Sequence, residues 1–480
     1  MIFKEYGNYD GIGLADLVRR KEVSPTTLID TAIDAISQVN PQLNCVVQSL
    51  RKQAISDLKT AEPSAPFYGV PFLVKEFGMH FKGMTSSAGS RLAEGTKFQS
   101  DSELMTRCRN AGLLTVGTTT TPEMAFNANS ESVLYGSTCN PWNLNHSAGG
   151  SSGGAGAAVA SGIVPIAHAN DGGGSIRIPA ACNGLVGMKP TRGRTPTGPD
   201  GGIFLWGLAV EFALTRTVRD SAALLDAVAG PDDGYFYTAQ PPKGSFLAAA
   251  MSHPGSLKIG VVEQMPGCTR ARKENLSKLN ETRSLLEDLG HTCESVKLDF
   301  NAEEFNESTI QLWATTLGFY MEHFSKTTGR KISSKTVEAI TLETYRYAKK
   351  LNAIELERAM SVQNSVSRSI GKTMRDYDVL LTPTLTREVA KLGELNQNAR
   401  GVSLIDWWKE LIEDYAAYTP QFNTTGQPAL VLPLWESKKG LPITMQFVGK
   451  LGGEETLYSL ANQLESSQPW ITRRPSTYID

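Results

Sequence analysis

Apolar positions at the start of the chain recur with the spacing of helices. Ser24 followed by Pro25 is typical of a helix start, because serine caps free backbone N–H groups and proline fits the first turn. The apolar residues that follow are Leu28, Ile29, Ala32, Ile33, Ile36 and Val39. Residues 51–61 predict a second, more polar helix. We therefore expect residues 1–62 to form a helical cover on a larger domain.

After residue 62 the pattern changes to short apolar runs that alternate with helical segments. Strands are predicted at 69–75, 113–117 and 163–167, and helices at 105–112 and 155–161. This alternation predicts an α/β fold with a mostly parallel sheet over residues 63–480. A helical insertion is predicted at about 301–351, where Trp313, Phe319 and Tyr320 either line a pocket or pack in the core.

Composition and charge narrow the function classes. The 480 residues are 40% hydrophobic and 20% charged, with a net charge of −2, which favours a globular protein and no nucleic-acid partner. No apolar stretch reaches the ~18 residues of a membrane span, and no signal peptide is visible, so we expect a cytoplasmic protein. The six cysteines are scattered, which predicts mostly buried, reduced thiols and no metal site. The sequence leaves a homodimer open.

Two glycine-rich loops, each with a serine, carry the strongest chemical signal. Residues 148–154 read AGGSSGG and residues 171–177 read DGGGSIR. Their serines Ser151 and Ser175 are separated by one predicted helix and one predicted strand, so both loops are expected at the same end of the sheet. A phosphate-binding loop is the competing interpretation, but the pattern Gly-x4-Gly-Lys-Ser/Thr does not occur.

The glycines around Ser175 suit a serine nucleophile. Attack on an amide carbonyl requires backbone N–H groups that point at the oxygen that becomes negative. Glycine adopts the necessary backbone conformations at little cost. We therefore predict an oxyanion hole formed by the backbone of Gly172, Gly173, Gly174 and Ser175.

A serine hydroxyl also needs a base. Ser175 does not sit in a Gly-x-Ser-x-Gly elbow, which weakens a Ser-His-Asp interpretation. Lys75 ends the apolar run 70–74, where burial would lower the pKa of its amine and keep it neutral. Ser151 would then pass the proton of Ser175 to Lys75, and activity would rise through mildly alkaline pH.

These segments resemble the amidase signature family over nearly the whole chain. The matching segments are 69–76, 121–123, 149–154, 171–180, 187–194, 422–429 and 440–443. The resemblance implies Ser175 as nucleophile, Ser151 as a relay serine after a cis peptide bond, and Lys75 as base. It also implies a mixed, mostly parallel sheet of about eleven strands between helices, a small-molecule amide substrate and no cofactor. Residues 166–174 and 206–209 are most similar to the cyclic nylon-dimer hydrolase branch.

Two other functions stay open at this point. One is the amidotransferase subunit that releases ammonia from glutamine in a tRNA-charging complex. Ile178 counts against it, because the resemblance leads us to expect glutamine there. The other is a non-catalytic binding protein of the same fold.

Several residues near the motifs have both a functional and a structural interpretation. Asn127 is a candidate substrate-binding residue, although a lone asparagine in a loop is more often a turn residue. Asp171 and Arg177 are expected to form a buried pair that holds the loop. His168 is interpreted as a strand-end residue and Cys182 as part of the core.

Overall fold

The computed structural model describes residues 2–479, which form one large sheet covered by helices. The strands are β1 (Val46–Ser49), β2 (Val70–Lys75), β3 (Thr85–Ser86), β4 (Thr96–Lys97), β5 (Leu113–Thr119), β6 (Glu131–Ser132), β7 (Gly136–Ser137), β8 (Cys139–Asn140), β9 (Asn143–Ser147), β10 (Ile166–Asp171), β11 (Val186–Lys189), β12 (Val210–Thr215), β13 (Lys258–Val261), β14 (Thr292–Ser295), β15 (Val379–Pro383), β16 (Ala429–Glu436) and β17 (Pro442–Gly449).

The α-helices follow the same chain order. They are α1 (Gly11–Arg19), α2 (Pro25–Leu43), α3 (Arg51–Thr60), α4 (Glu103–Asn110), α5 (Gly153–Ala160), α6 (Arg177–Asn183), α7 (Val218–Val228), α8 (Phe246–Ala250), α9 (Lys273–Asp288), α10 (Ala302–Thr328), α11 (Ala339–Ala348), α12 (Ala353–Thr373), α13 (Leu404–Trp408), α14 (Pro420–Thr425) and α15 (Glu454–Ser467). A π-helical turn, Lys409–Tyr415, follows α13.

The main sheet has eleven strands in the order β1-β5-β2-β10-β12-β11-β16-β17-β15-β13-β14. Parallel pairs lie in two blocks, β5-β2-β10 and β15-β13-β14, and the strands between the blocks are antiparallel. The α/β class and the mixed sheet are confirmed. By pairing, however, antiparallel neighbours are the more numerous.

The first helices form as their sequence predicts. The Ser24 side chain accepts a hydrogen bond from the Thr27 N–H, and α2 buries Leu28, Ile29 and Ala32. The segment 1–62 also contributes β1, which pairs with β5 at the edge of the sheet. The same hydrophobic core includes residues of α1, the central strands and α15, so the boundary at residue 62 stays a prediction about domains.

Two elements differ most from their predicted bounds. The strand expected at 163–167 is β10, Ile166–Asp171, because Gly162 has a positive φ and Pro165 lies in the turn before the strand. The helical insertion comprises α10 and α11 and continues into α12. No described helix is long and apolar enough to cross a membrane.

Candidate active site

Lys75 and Asp171 end two neighbouring parallel strands, β2 and β10, at the same edge of the sheet. The Ser151 turn lies just before α5, and its Gly150–Ser151 peptide bond is cis. Lys75 Nζ lies 2.7 Å from Ser151 Oγ, 2.9 Å from Ser152 Oγ and 2.6 Å from Asn170 Oδ1. The fold therefore brings residues from three distant segments into hydrogen-bond contact.

The Lys75 amine is fully buried. Burial lowers its pKa to about 7, although the negative charges of Glu211 and Asp171 act in the opposite direction. At neutral pH a large fraction of this amine is uncharged, and an uncharged amine accepts a proton.

A second layer of buried polar groups fixes Asn170. Its Nδ2 donates to the Phe77 carbonyl at 2.9 Å and to Glu211 Oε1 at 3.2 Å, which turns Oδ1 toward Lys75. Glu211 lies directly opposite Asn170 on β12, and its other oxygen lies 2.6 Å from His168 Nε2. His168 is therefore inside the sheet rather than at a strand end, and that interpretation is wrong.

The loop before Ser175 is held by a buried ion pair. Arg177 Nε and Nη2 donate to the two oxygens of Asp171 at 2.8 and 2.9 Å. Burial alone would raise the pKa of Asp171, but the charge and hydrogen bonds of Arg177 outweigh it and lower the pKa to about 2. Arg177 also donates to Asn423 Oδ1, which lies in α14, and to the carbonyl of Thr419, the residue just before α14. The buried-pair interpretation of Asp171 and Arg177 is confirmed.

One of the four predicted oxyanion donors is occupied. The Gly174 N–H donates to Asp171 Oδ1 at 2.7 Å, so it is not available to a substrate oxygen, and this part of the prediction is wrong. Within residues 2–479, the N–H groups of Gly172, Gly173 and Ser175 make no hydrogen bond. A Cβ at Gly172 would lie 2.7 Å from Leu205 Cδ2, so the loop backbone approaches the cavity wall closely.

Two cavities meet at Ser175. The first is also lined by Ser151, Asn170, Phe77, Leu205 and Tyr320. The second is also lined by Ile178, Phe126, Trp408, Leu411 and Ile412. Trp313 and Ala125 border both cavities. Among the hydrogen bonds of the described chain, none joins Ser151 to Ser175, but both serines face the first cavity.

The helical insertion supplies one wall of each cavity. In α10, Thr309, Trp313, Thr316, Leu317 and Tyr320 lie on the face that lines them. This confirms the pocket interpretation for Trp313 and Tyr320. Phe319 points outward with 67% of its surface exposed, so neither of its two interpretations is right.

Sequence reasoning missed two other wall segments. Leu205 and Trp206 have φ of 49° and 56°, a rare conformation for such residues, and the turn that contains them places Phe204 and Leu205 against the first cavity. The π-helical turn carries Leu411 and Ile412 of the second cavity. Neither signal is visible in a one-dimensional pattern.

Asn127 borders the second cavity, but its polar atoms bond to the protein. Its Nδ2 donates to the Leu395 carbonyl and its Oδ1 accepts from the Ala128 N–H, both at 2.8 Å. These contacts favour the turn interpretation over substrate binding. Cys182 is buried, and burial raises the pKa of its thiol to about 12, so it is an unreactive core residue as expected.

The described residues contain no group of three or more His, Cys, Asp or Glu side chains placed to hold a metal ion. All six cysteines are free and five of them are buried, as the scattered spacing predicts.

The chain is similar to known proteins over nearly its whole length. A family model described as Amidase matches residues 27–458. The chain is 34% identical over 479 residues to the 6-aminohexanoate-cyclic-dimer hydrolase of Pseudomonas sp. (strain NK87), covering 97% of this chain and 96% of that protein. A solved structure of 6-aminohexanoate cyclic dimer hydrolase superposes with a TM-score of 0.93 at 32% identity, over 98% of this chain and 99% of the other. A bacterial aryl acylamidase gives 0.86 at 25% identity, over 96% of each chain.

Proposed function

The chain belongs to the amidase family and is an amide hydrolase, and from this premise we propose that it cleaves amides through an acyl-enzyme on Ser175, with Ser151 as proton relay and Lys75 as base. The observation that carries the proposal is the 2.7 Å contact of Lys75 Nζ with Ser151 Oγ, beside the cavity that Ser175 also lines. The direct link between the two serine hydroxyls is part of the proposal.

The contacts of Lys75 explain why the neutral amine would act on Ser151. A neutral amine has two N–H groups and one lone pair. Asn170 Oδ1 can only accept a hydrogen bond, and Ser152 Oγ donates its own hydrogen toward the Asn170 carbonyl at 3.4 Å. These two acceptors take the two N–H groups, so the lone pair is left for the Ser151 hydroxyl.

The reaction then balances without a cofactor. Ser175 Oγ attacks the amide carbon, its proton moves to Ser151, and the Ser151 proton moves to Lys75. The N–H groups of Gly172, Gly173 and Ser175 are the donors available to the oxygen that becomes negative. The carbon–nitrogen bond breaks as the nitrogen takes a proton back from Ser151. Water then attacks the ester and gives its proton to the relay, the relay returns a proton to the departing Ser175 Oγ, and the acid is released.

We propose linear or cyclic small-molecule amides as substrates. The cyclic class is included because the relatives with 34% identity are named for a cyclic dimer. Ile178 lines the second cavity and gives an apolar contact, which does not favour the glutamine-releasing alternative. Direct assay of glutamine hydrolysis separates that alternative from the proposal.

A fluorophosphonate probe tests the nucleophile. We expect the wild type to gain the mass of one phosphonyl group, with fluoride as the leaving group, and to lose amide hydrolysis in parallel, and Ser175→Ala to gain none. Ser221→Ala is the matched control, because Ser221 is a buried serine that bonds to Tyr458 outside both cavities. Labelling of Ser175→Ala to the wild-type level would refute Ser175, and an unlabelled, inactive wild type would favour the non-catalytic alternative.

A further inference from the structure

The two cavities make different contacts with the proposed proton relay. Ser151 and Asn170 line the first cavity and are not among the residues that line the second. The Ser175 loop borders both, with Gly172 on the first and Gly173 on the second. A substrate carbon at Ser175 therefore has one side toward the relay and one side away from it.

Trp313 lines both cavities. Its ring would lie 3.1 Å from a Cβ at Gly172 and 3.8 Å from one at Gly173, so it covers the loop between them. It also stands 5.4 Å from the Phe126 ring, centroid to centroid, within the aromatic wall of the second cavity. An amide bound at Ser175 therefore contacts this indole whichever cavity its substituents enter.

The walls of both cavities are uncharged. Of the described residues that line them, none is Asp, Glu, Lys, Arg or His. An ammonium or carboxylate on a substituent would lose its hydration without gaining an opposite charge, which is costly. Aromatic and aliphatic substituents would instead lose only unfavourable contact with water.

The chemistry of the leaving group sets the orientation. When the carbon–nitrogen bond breaks, the nitrogen must receive a proton, and in the proposed mechanism Ser151 donates it. The nitrogen must therefore face Ser151, which places the amine substituent in the first cavity. The acyl substituent then occupies the second.

We propose that the enzyme prefers neutral amides with an apolar group on both sides of the bond, the amine group between Phe77 and Tyr320 and the acyl group against Trp408 and Ile412. This inference rests on the proposed function, since the orientation follows from Ser151 as the proton donor.

Two substrate series test the assignment. One keeps an N-hexyl group and lengthens the acyl chain from acetyl to octanoyl, and the other keeps the hexanoyl group and lengthens the N-alkyl chain from methyl to octyl. Ile412→Trp narrows the second cavity and Leu317→Trp the first. We expect Ile412→Trp to lower kcat/KM for the octanoyl substrate relative to acetyl by about 10-fold or more, with the N-alkyl series unchanged.

Leu317→Trp should instead lower kcat/KM for the N-octyl substrate relative to N-methyl, with the acyl series unchanged. Ile412→Ala should extend the length of acyl chain that is cleaved, and Leu317→Ala the length of N-alkyl chain. These smaller side chains keep the test decisive where tryptophan prevents folding. A terminal carboxylate or ammonium on either chain should lower wild-type kcat/KM by about 100-fold.

The failure of this inference is distinguishable from that of the proposed function. If the wild type takes the fluorophosphonate on Ser175 but cleaves charged chains as well as neutral ones, the inference is wrong and the proposed mechanism stands. If Ser175 is labelled but the two series respond to the opposite variants, the inference and the role of Ser151 as proton donor are both wrong, and Ser175 as nucleophile stands. A wild type that is unlabelled and cleaves no amide overturns both.

Discussion

The Lys75 nitrogen has three side-chain hydrogen-bond partners, Ser151, Ser152 and Asn170. Glu211 accepts a hydrogen bond from Asn170, and Asp171, the next residue along the chain, pairs with buried Arg177. The walls of the two adjoining cavities, by contrast, contain mostly aromatic and aliphatic side chains. Polar contacts are directional and leave few alternative arrangements, whereas apolar walls tolerate changes of size and shape.

This difference divides the effects that mutations should have. A change in the polar centre removes a proton acceptor, a loop support or a charge, so it should alter rate, stability or pH dependence for every substrate. A change in a cavity wall should alter which substrate is preferred and leave the chemistry intact.

The largest effect is expected for Lys75→Met. Methionine keeps an unbranched side chain but cannot accept a proton, so kcat/KM should fall about 10⁴-fold for every amide. The control is Lys189→Met. Lys189 is also fully buried, its pKa is also lowered to about 7, first by burial and then by the charge of Arg177, and it lines neither cavity.

Steady-state kinetics on folded protein, checked by circular dichroism, decides the outcome. Lys189→Met should keep most of its activity per folded molecule. Equal losses in the two variants would mean that a buried lysine is needed for structure, and the role of Lys75 as base would be refuted.

The second effect concerns the support of the Ser175 loop. Arg177→Met leaves the Asp171 carboxylate buried without its partner, so the free energy of unfolding should fall by about 4 kcal/mol. Urea unfolding measures the change. Adding Asp171→Asn removes the unpaired charge and should restore part of the loss. Asp171→Asn alone gives the reference loss in the free energy of unfolding. If the double variant loses that full amount in addition to the loss of Arg177→Met, the two side chains do not interact.

The catalytic centre was largely predictable because its chemistry lies in short segments of unusual composition. Ser151 and Ser175 stand in glycine-rich loops, and Lys75 ends an apolar strand. The occupied N–H of Gly174 was not predictable, because it depends on how the Asp171 side chain folds back on its own loop.

The rest of the site depends on contacts between distant segments. Glu211 is the single charged residue in the apolar strand β12, and this pattern in the sequence indicates a special role for it. Its position opposite Asn170, however, depends on how β10 and β12 pair in the sheet. The walls combine α10, the strained turn at Leu205 and the π-helical turn, and sequence patterns do not report how these segments meet. The sheet shows the same limit. The apolar runs predict where strands lie, but whether two strands pair parallel or antiparallel depends on contacts between distant segments.

The smallest effect, and the most specific to the polar centre, is a shift in pH dependence. With the pKa of Lys75 lowered by burial to about 7, wild-type kcat/KM should be half-maximal near pH 7 and rise above it as the ammonium loses its proton. The negative charge of Glu211 favours the ammonium and therefore raises this pKa against the effect of burial. Glu211→Gln keeps the size of the side chain and removes the charge, so the pKa of Lys75 should fall and the acid limb should move about one unit lower.

The plateau rate should fall slightly in Glu211→Gln, because a weaker base takes the proton less readily. Glu454→Gln is the matched control, since Glu454 is a buried glutamate paired with Arg194 and is not among the charges that raise the pKa of Lys75. Its acid limb should coincide with that of the wild type. An unchanged limb in Glu211→Gln would show that the charge of Glu211 does not act on the Lys75 amine. A shift to higher pH would contradict the role of Lys75 as the group whose deprotonation limits the rate.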